Sequence, residues 1–296
     1  MPKVLLSYIH YPCSAPKHLC QAFKSLGWDV VSFGPDTEGR LPWKPGAEYP
    51  RYADTPDIGL PYPFRRTYPV ENALRLSGKV DLIVQCDANF FLTGHTTVPN
   101  ICWMIDNHVC TYDEAFEYCH VLFGAHSQFH GSDRPNFHWL PCAYSPQDHF
   151  DTHSQRTHDM AFVGVPYTNR IELLSELAGI GDVVAKIGLL GKEYNDAYNS
   201  ARIGLCASVC GDVPMRVFEN AAQGLMVFCD RQKDLEKLGL KEGEHYVGFD
   251  STQEAVEKFK WLLENPKEVE RIAWNGKEAL RKETYEQRIQ EMLSWL

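Results

Sequence analysis

Residues Tyr194 to Asp230 read YNDAYNSARIGLCASVCGDVPMRVFENAAQGLMVFCD. The apolar run Ile203 to Ala207 has the length and side chains of a strand buried on both faces, and so has Met226 to Asp230 after it. Between them the loop passes through Gly211, Asp212 is predicted to N-cap a helix with Pro214 in its first turn, and Gly224 follows the last turn. Strand, helix and strand in this order make a parallel unit whose helix turns its positive end toward the strands' carboxyl edge. Arg216 falls in that first turn, where the helix dipole disfavours a cation, so an anion is expected beside it. A diphosphate fits, because free backbone N–H groups, the dipole and a guanidinium all bind phosphate oxygens. Glu219 follows three residues later, and an ionised carboxylate only accepts hydrogen bonds, which suits a vicinal diol such as a ribose. The alternative for the pair is a solvated Arg–Glu contact at helical spacing, contributing about 0.2–0.5 kcal/mol.

The same grammar extends outward. Upstream, Met160 to Val165 reads as a strand, followed by a turn through Gly164 to Tyr167 and a helix from Thr168 or Asn169. Arg170 again occupies a first helical turn after a strand, so Arg170 and Arg216 converge on one anion if both helices open on the same sheet edge. After the strand Val183 to Ile187, the backbone of Gly188, Leu189 and Gly191 meets that edge, while Tyr194 and Tyr198 are expected to serve packing. Helices are expected near Gln253 to Glu264, Pro266 to Lys282 and Thr284 to Trp295. In the N-terminal part, Val4 to Ile9, Val30 to Phe33, Val80 to Gln85, Asn100 to Ile105 and Val121 to Gly124 read as strands, with a helix at Ala15 to Leu26 closed by Gly27. Alternation of strands and helices implies an α/β chain with parallel, doubly wound sheets. Gly34 to Pro69 holds eight of the 18 prolines, which excludes regular helix and central strand there, and its aromatics argue against plain disorder. The polar run His149 to His158 reads as the linker between domains 1–157 and 158–280.

With 296 residues and 44% hydrophobic content the chain can bury two ordinary cores. No leader is legible and no apolar run approaches the ~20 residues of a membrane span, so a cytoplasmic protein with no membrane span is expected. The ten cysteines form no C-x-x-C pair, and Cys86, Cys102, Cys206 and Cys229 fall in expected buried elements, which predicts reduced core thiols. His108, Cys110, Cys119, His120, His126 and His130 crowd one region, but their spacing matches no zinc pattern, so no metal is expected.

The order of a tyrosine-rich helix, the strand ARIGLCAS, the helix MRVFENAAQG, the strand MVFCD, the strand EGEHYVGFD and paired terminal helices ending in ETYEQR resembles the C-terminal half of the GT-B glycosyltransferases. Within them it is most similar to the group that includes the spore-maturation CgeB-like proteins. The resemblance spans roughly Asp159 to Leu296, and WMIDNH (Trp103 to His108), WLPCAYSPQDHF (Trp139 to Phe150) and FVGVPYTNR (Phe162 to Arg170) agree with it. It implies a GT-B fold of two Rossmann-like domains facing a central cleft, an N-terminal acceptor half, a C-terminal donor half, and a last segment, 281–296, that crosses back to the first domain. It further implies that Arg216 and Glu219 hold a sugar nucleotide, the Glu on its ribose, and that the Gly188 loop meets the base; Gly164 and Arg170 are placed at the same site by their position after a strand, solvent exposure being the alternative for Arg170. Many retaining relatives carry a second Glu about two helical turns before the ribose-binding one. Cys210, Gly211 and Asp212 stand there in this chain, which leaves the stereochemical course open.

The reading is therefore a metal-independent hexosyltransferase without a cofactor, using a nucleotide-sugar donor, UDP-sugar first, on an acceptor hydroxyl of a saccharide, small molecule, protein or modified DNA base. Ligands of open α/β sheets lie beyond the strands' carboxyl ends, which nominates His10, Asp87, Asp106 and His108; Asp106 and His108 are the preferred proton acceptors. For a DNA glycosyltransferase the loop cations Arg40, Lys44, Arg51, Arg65 and Arg66 are available, but Asp36, Glu38, Glu48, Asp54 and Asp57 cancel them and the net charge is −10. A non-catalytic nucleotide-sugar binder or a GT-B-shaped epimerase would carry the same donor-binding motifs.

Overall fold

A computed structural model describes residues 1–41, 46, 48–165 and 167–296. The readings that fell on Trp43, Lys44 and Pro166 lie outside the described residues. The chain divides into two compact units, Met1–Pro141 with Tyr285–Leu296, and Cys142–Thr284.

The first unit contains β1 (Lys3–Ser7), α1 (Pro16–Ser25), β2 (Asp29–Pro35), β3 (Ile58–Leu60), β4 (Thr67–Pro69), α2 (Val70–Ser77), β5 (Leu82–Gln85), β6 (Phe91–Thr93), β7 (Asn100–Met104), α3 (Asp113–Tyr118), β8 (Val121–Gly124) and β9 (Phe137–Trp139). Seven of these strands form one parallel sheet in the order β3-β2-β1-β5-β7-β8-β9. The order reverses between β1 and β5, where Val4 pairs with Leu82 and Ser7 with Gln85. Every residue of β5 and β7 is buried, as a parallel sheet covered on both faces requires. The described residues of the proline-rich stretch form local structure. The stretch adds β3 at the sheet edge, where prolines leave no central ladder broken, and β4 pairs with β6 in a separate two-stranded ribbon. Asp57 anchors it by accepting from Ser32 N and Oγ at 2.9 and 2.8 Å. These short strands escaped sequence reading because three residues carry no measurable period.

The second unit contains β10 (His158–Val163), α4 (Thr168–Ala178), β11 (Val183–Lys186), α5 (Gly191–Asn199), β12 (Ala201–Cys206), α6 (Met215–Ala222), β13 (Met226–Asp230), α7 (Lys233–Lys237), β14 (Val247–Phe249), α8 (Thr252–Glu264) and α9 (Pro266–Leu280). Its parallel sheet runs β11-β10-β12-β13-β14, so the order reverses between β10 and β12. Met160, Phe162, Ile203, Leu205, Phe228 and Phe259 lie in its core.

The boundary expected between 157 and 158 falls between 141 and 142, and the one expected between 280 and 281 falls between 284 and 285. Residues 142–157 belong to the second unit, and the run His149 to His158 is part of that unit rather than a linker, because its backbone is claimed there. Thr152 N donates to Asn199 Oδ1 (2.9 Å), and Arg156 donates to the carbonyls of Ala201 and Gln223, each at 2.7 Å. The last helix, α10 (Tyr285–Leu293), belongs to the first unit: Arg288, 2% exposed, donates from Nε to Pro141 O at 2.8 Å, and Tyr285 packs edge-on to Trp103. Among the described residues no helix is long and apolar enough to cross a membrane.

Gly204 sets how closely α6 lies on β12. A Cβ there would sit 2.3 Å from Asn220 Nδ2, and Asn220, wholly buried, also donates to Cys206 Sγ at 3.1 Å. Gly204→Ala is expected to destabilise the fold by about 1–3 kcal/mol through overpacking, read as a lower urea midpoint at unchanged slope.

Candidate active site

Within the second unit both nominated arginines reach one atom. Arg170 donates to the Ala207 carbonyl from Nε (3.1 Å) and Nη2 (2.7 Å), and Arg216 approaches the same oxygen with Nη2 at 3.5 Å. Ala207 directly follows β12, so this point lies at the carboxyl edge where the strand order reverses. The ring of Phe162 carries both guanidinium groups, at 5.6 Å for Arg170 and 5.3 Å for Arg216, each within reach of the cation–π attraction. Arg170 is 3% exposed, and burial together with the charge of Arg216 lowers its pKa to about 10. Desolvation also opposes the charge on Arg216, but Tyr198, Tyr194, Cys206 and Glu219 around it more than offset that and hold its pKa above the ordinary value. Its Nε is buried without a hydrogen-bond partner among the described residues.

The arginines occupy the first turns of α4 and α6. Their N-caps, Tyr167 and Pro214, have extended backbone and give no side-chain cap, so the first-turn N–H groups supply positive potential at the same edge. Asp212 is not the N-cap the sequence suggested. Its Oδ1 accepts from Val209 N (2.9 Å) and Cys210 N (3.2 Å), closing the loop before the helix, and Pro214 takes the cap position. Asp230 holds the other side of that loop, accepting from Ser208 N at 2.8 Å and from Ser208 Oγ. Gly164 lies against the pair, since a Cβ there would meet Phe162 at 3.1 Å and Arg216 Nη1 at 3.2 Å. Gly188, in the left-handed region at φ 76°, turns the chain after β11, whose Lys186 carbonyl accepts from Gly164 N at 3.1 Å.

Glu219, one turn beyond Arg216, is 5% exposed. Its Oε2 accepts from Tyr194 Oη, and its Oε1 lies 3.5 Å from His149 Nε2. Neither contact is legible in the sequence, where Tyr194 reads as packing and His149, 70 residues before Glu219, as part of a linker. The spacing of Tyr194 and Tyr198 on α5 was the available signal, because it aims one face at β10, where Tyr198 Oη accepts from Val163 N at 3.0 Å.

In the first unit the nominated residues follow β1, β5 and β7. His10 is wholly buried, with Nδ1 3.1 Å from Asp54 Oδ2, which makes it an internal anchor for the proline-rich stretch. Asp87 accepts from Asn89 N (2.8 Å) and Ile9 N (3.4 Å), so it joins the ends of β5 and β1 at the order reversal. Burial, reinforced by the charge of Asp106, pushes its carboxyl up to about 7 despite those donors. Asp106 is exposed, and its backbone N lies 3.1 Å from Tyr112 Oη. His108 is partly exposed and edge-on to His126 with ring centroids 4.5 Å apart. Between them Asn107 is buried, exchanging hydrogen bonds with the His126 backbone at 2.9 and 3.1 Å. Others of the crowded His and Cys residues have packing duties: His120 Nδ1 accepts from Asn100 N (3.0 Å) and Cys119 Sγ from Gln85 Nε2 (3.3 Å).

A family model described as glycosyl transferase-like matches residues 148–294. Among solved structures, Anabaena HepE in complex with UDP-glucose is similar over 100% of both chains at 12% identity, TM-score 0.70. An alpha-glucosyltransferase in complex with UDP and a 13-mer DNA is similar over 100% of this chain and 99% of its own at 10% identity, TM-score 0.69. The chain has the GT-B fold, and its residues 148–294 are similar to the glycosyl transferase-like family. Sucrose-phosphate synthase from Thermosynechococcus elongatus shares the fold at 11% identity, TM-score 0.65, over 100% and 98% of the two chains. No curated protein matches the sequence.

This GT-B chain thus brings Gly164, Arg170 and Arg216 together, with Glu219 a turn away, in one unit. It brings Asp87 and Asp106 within electrostatic reach of each other in the other. Because the folded pKa of Asp87 is raised, its contribution to stability is fully present below the unfolded value of about 3.9 and is lost as pH rises through about 7. Asp87→Asn should therefore gain stability relative to the parent between pH 5 and pH 8, measured as paired urea midpoints.

Proposed function

We propose that the protein transfers a sugar from a nucleoside diphosphate sugar, UDP-sugar first, to an acceptor hydroxyl without a metal ion. The observation that carries this is the pair of guanidinium groups meeting at Ala207 O beside two uncapped helix starts. Two like charges in one desolvated place are costly alone and favourable around a diphosphate, whose oxygens both forks can bind. As the glycosidic bond breaks, negative charge grows on the departing diphosphate, and Arg216 with the N–H groups of α4 and α6 stabilises it in place of a cation. Glu219 meets the ribose, Gly188 passes near the base, and Asp106 and His108 are the proton acceptors for the incoming hydroxyl. HepE was solved with UDP-glucose and the alpha-glucosyltransferase with UDP, which supports the choice of uridine.

A CgeB-like place within the family and a cytoplasmic setting belong to this proposal, the latter supported by the burial of Cys86, Cys102, Cys206 and Cys229, which suits reduced core thiols. The DNA acceptor is not favoured, although that relative was solved with DNA. Arg40 is paired with Glu38 and Glu48, and Arg66 with Glu114, which removes charge that a phosphate backbone would need.

UDP at about 100 times its Kd should raise stability by about 2.7 kcal/mol, seen as a higher melting temperature; no shift with UDP or any other nucleoside diphosphate refutes the donor site. Arg216→Ala should keep the fold and lower kcat about 10²–10³-fold, measured by release of nucleoside diphosphate. Glu219→Ala should chiefly weaken donor binding, measured by titration calorimetry.

A further inference from the structure

We propose that His149 and Tyr194 are positioning residues: together they fix the Glu219 carboxylate so that its remaining lone pairs are left for the two hydroxyls of a ribose. This rests on Glu219 being the ribose contact, as proposed above.

The backbone N–H of Ser145 donates to His149 Nδ1 at 3.2 Å, so that nitrogen is the acceptor and the ring proton of the neutral imidazole sits on Nε2. Nε2 is the atom that faces Glu219 Oε1 at 3.5 Å, and both side chains are only 7% exposed. On the other oxygen, Tyr194 donates its hydroxyl hydrogen to Oε2. Burial, together with the nearby carboxylate, holds the Tyr194 phenol well above its ordinary pKa, so it stays protonated and donates at all working pH values. A carboxylate offers about four lone-pair sites; two donors, one per oxygen, occupy two and leave two, the number a vicinal diol needs.

Both donors are themselves held. His149 closes a turn with its own backbone N–H on Ser145 O at 2.8 Å, and Tyr144 just before it bonds through its N–H to Glu283 O (3.1 Å) and through its hydroxyl to Arg281 O (2.9 Å). Tyr194 packs edge-on to His149 at 5.9 Å and to Tyr198 at 4.9 Å, and Tyr198 is tied to β10. Three segments far apart in sequence, 142–149, α5 and α6, therefore converge on one carboxylate. Packing alone has no need of two polar donors on its two oxygens.

The test is titration calorimetry of the full chain with UDP and with 2′,3′-dideoxy-UDP. The parent is expected to prefer UDP. Tyr194→Phe and His149→Ala should each weaken UDP about tenfold or more and leave dideoxy-UDP unchanged, so the preference shrinks; His149→Gln, whose amide can donate, should recover part of it. If folded Tyr194→Phe and His149→Ala keep the parent's preference while Glu219→Ala loses it, the positioning role is wrong and the ribose contact stands. Equal weakening of both ligands also overturns it, as that is a structural defect. A parent without preference overturns the ribose contact and this inference with it. Tyr194→Phe retains the ring packing, so it decides the matter if His149→Ala does not fold.

Discussion

Two positive charges share one desolvated corner of the second unit, and much of that unit is arranged to permit it. Arg170 is nearly inaccessible to solvent and feels the charge of Arg216, which lowers its pKa. The Ala207 carbonyl, the Phe162 ring face, and the carboxylates of Asp212 and Asp230 offset the repulsion. That arrangement requires α4 and α6 to start side by side, hence β10 and β12 to be neighbours. Glycine at 204 leaves room for Asn220, and a Cβ at 164 would press closely on Phe162 and Arg216. Under the proposed function these charges stand in place before a diphosphate arrives, which is preorganisation in the sense that matters for stabilising a leaving group.

Glu219 shows a different economy. Its helix supplies the carboxylate, but its orientation is supplied by a histidine from the segment 142–149 and a tyrosine from α5. The same segment is stitched to residues 281 and 283, so its course is set by two ends of the unit at once. The polar character of 149–158 suggested a linker because hydrogen-bonded and solvated polar residues look alike in composition. What distinguishes them is the partner, and Asn199, Ala201 and Gln223 are not visible from that stretch.

In the first unit the rule that ligands gather at the carboxyl ends of strands nominates His10, Asp87, Asp106 and His108 without saying which of them are buried. His10 turns out to be internal, tied to Asp54, whereas Asp87 bridges the ends of β1 and β5 and carries a carboxyl poised near neutrality. That difference depends on burial and on the proximity of a second carboxylate, Asp106, and neither is a property of local sequence.

Local sequence determined the alternation of buried strands and helices, the parallel sheets, and the first-turn positions of Arg170 and Arg216, because apolar period and run length act over a few neighbouring residues. It also determined that Gly27 and Gly224 end their helices, both at positive φ that other residues resist. Only the tertiary structure decided that the two arginines meet on one carbonyl, that Asp212 closes a loop rather than capping a helix, and that His149 and Tyr194 hold Glu219. Those outcomes depend on which strands lie side by side and on hydrogen bonds spanning tens of residues, and a polar side chain does not carry the address of its partner.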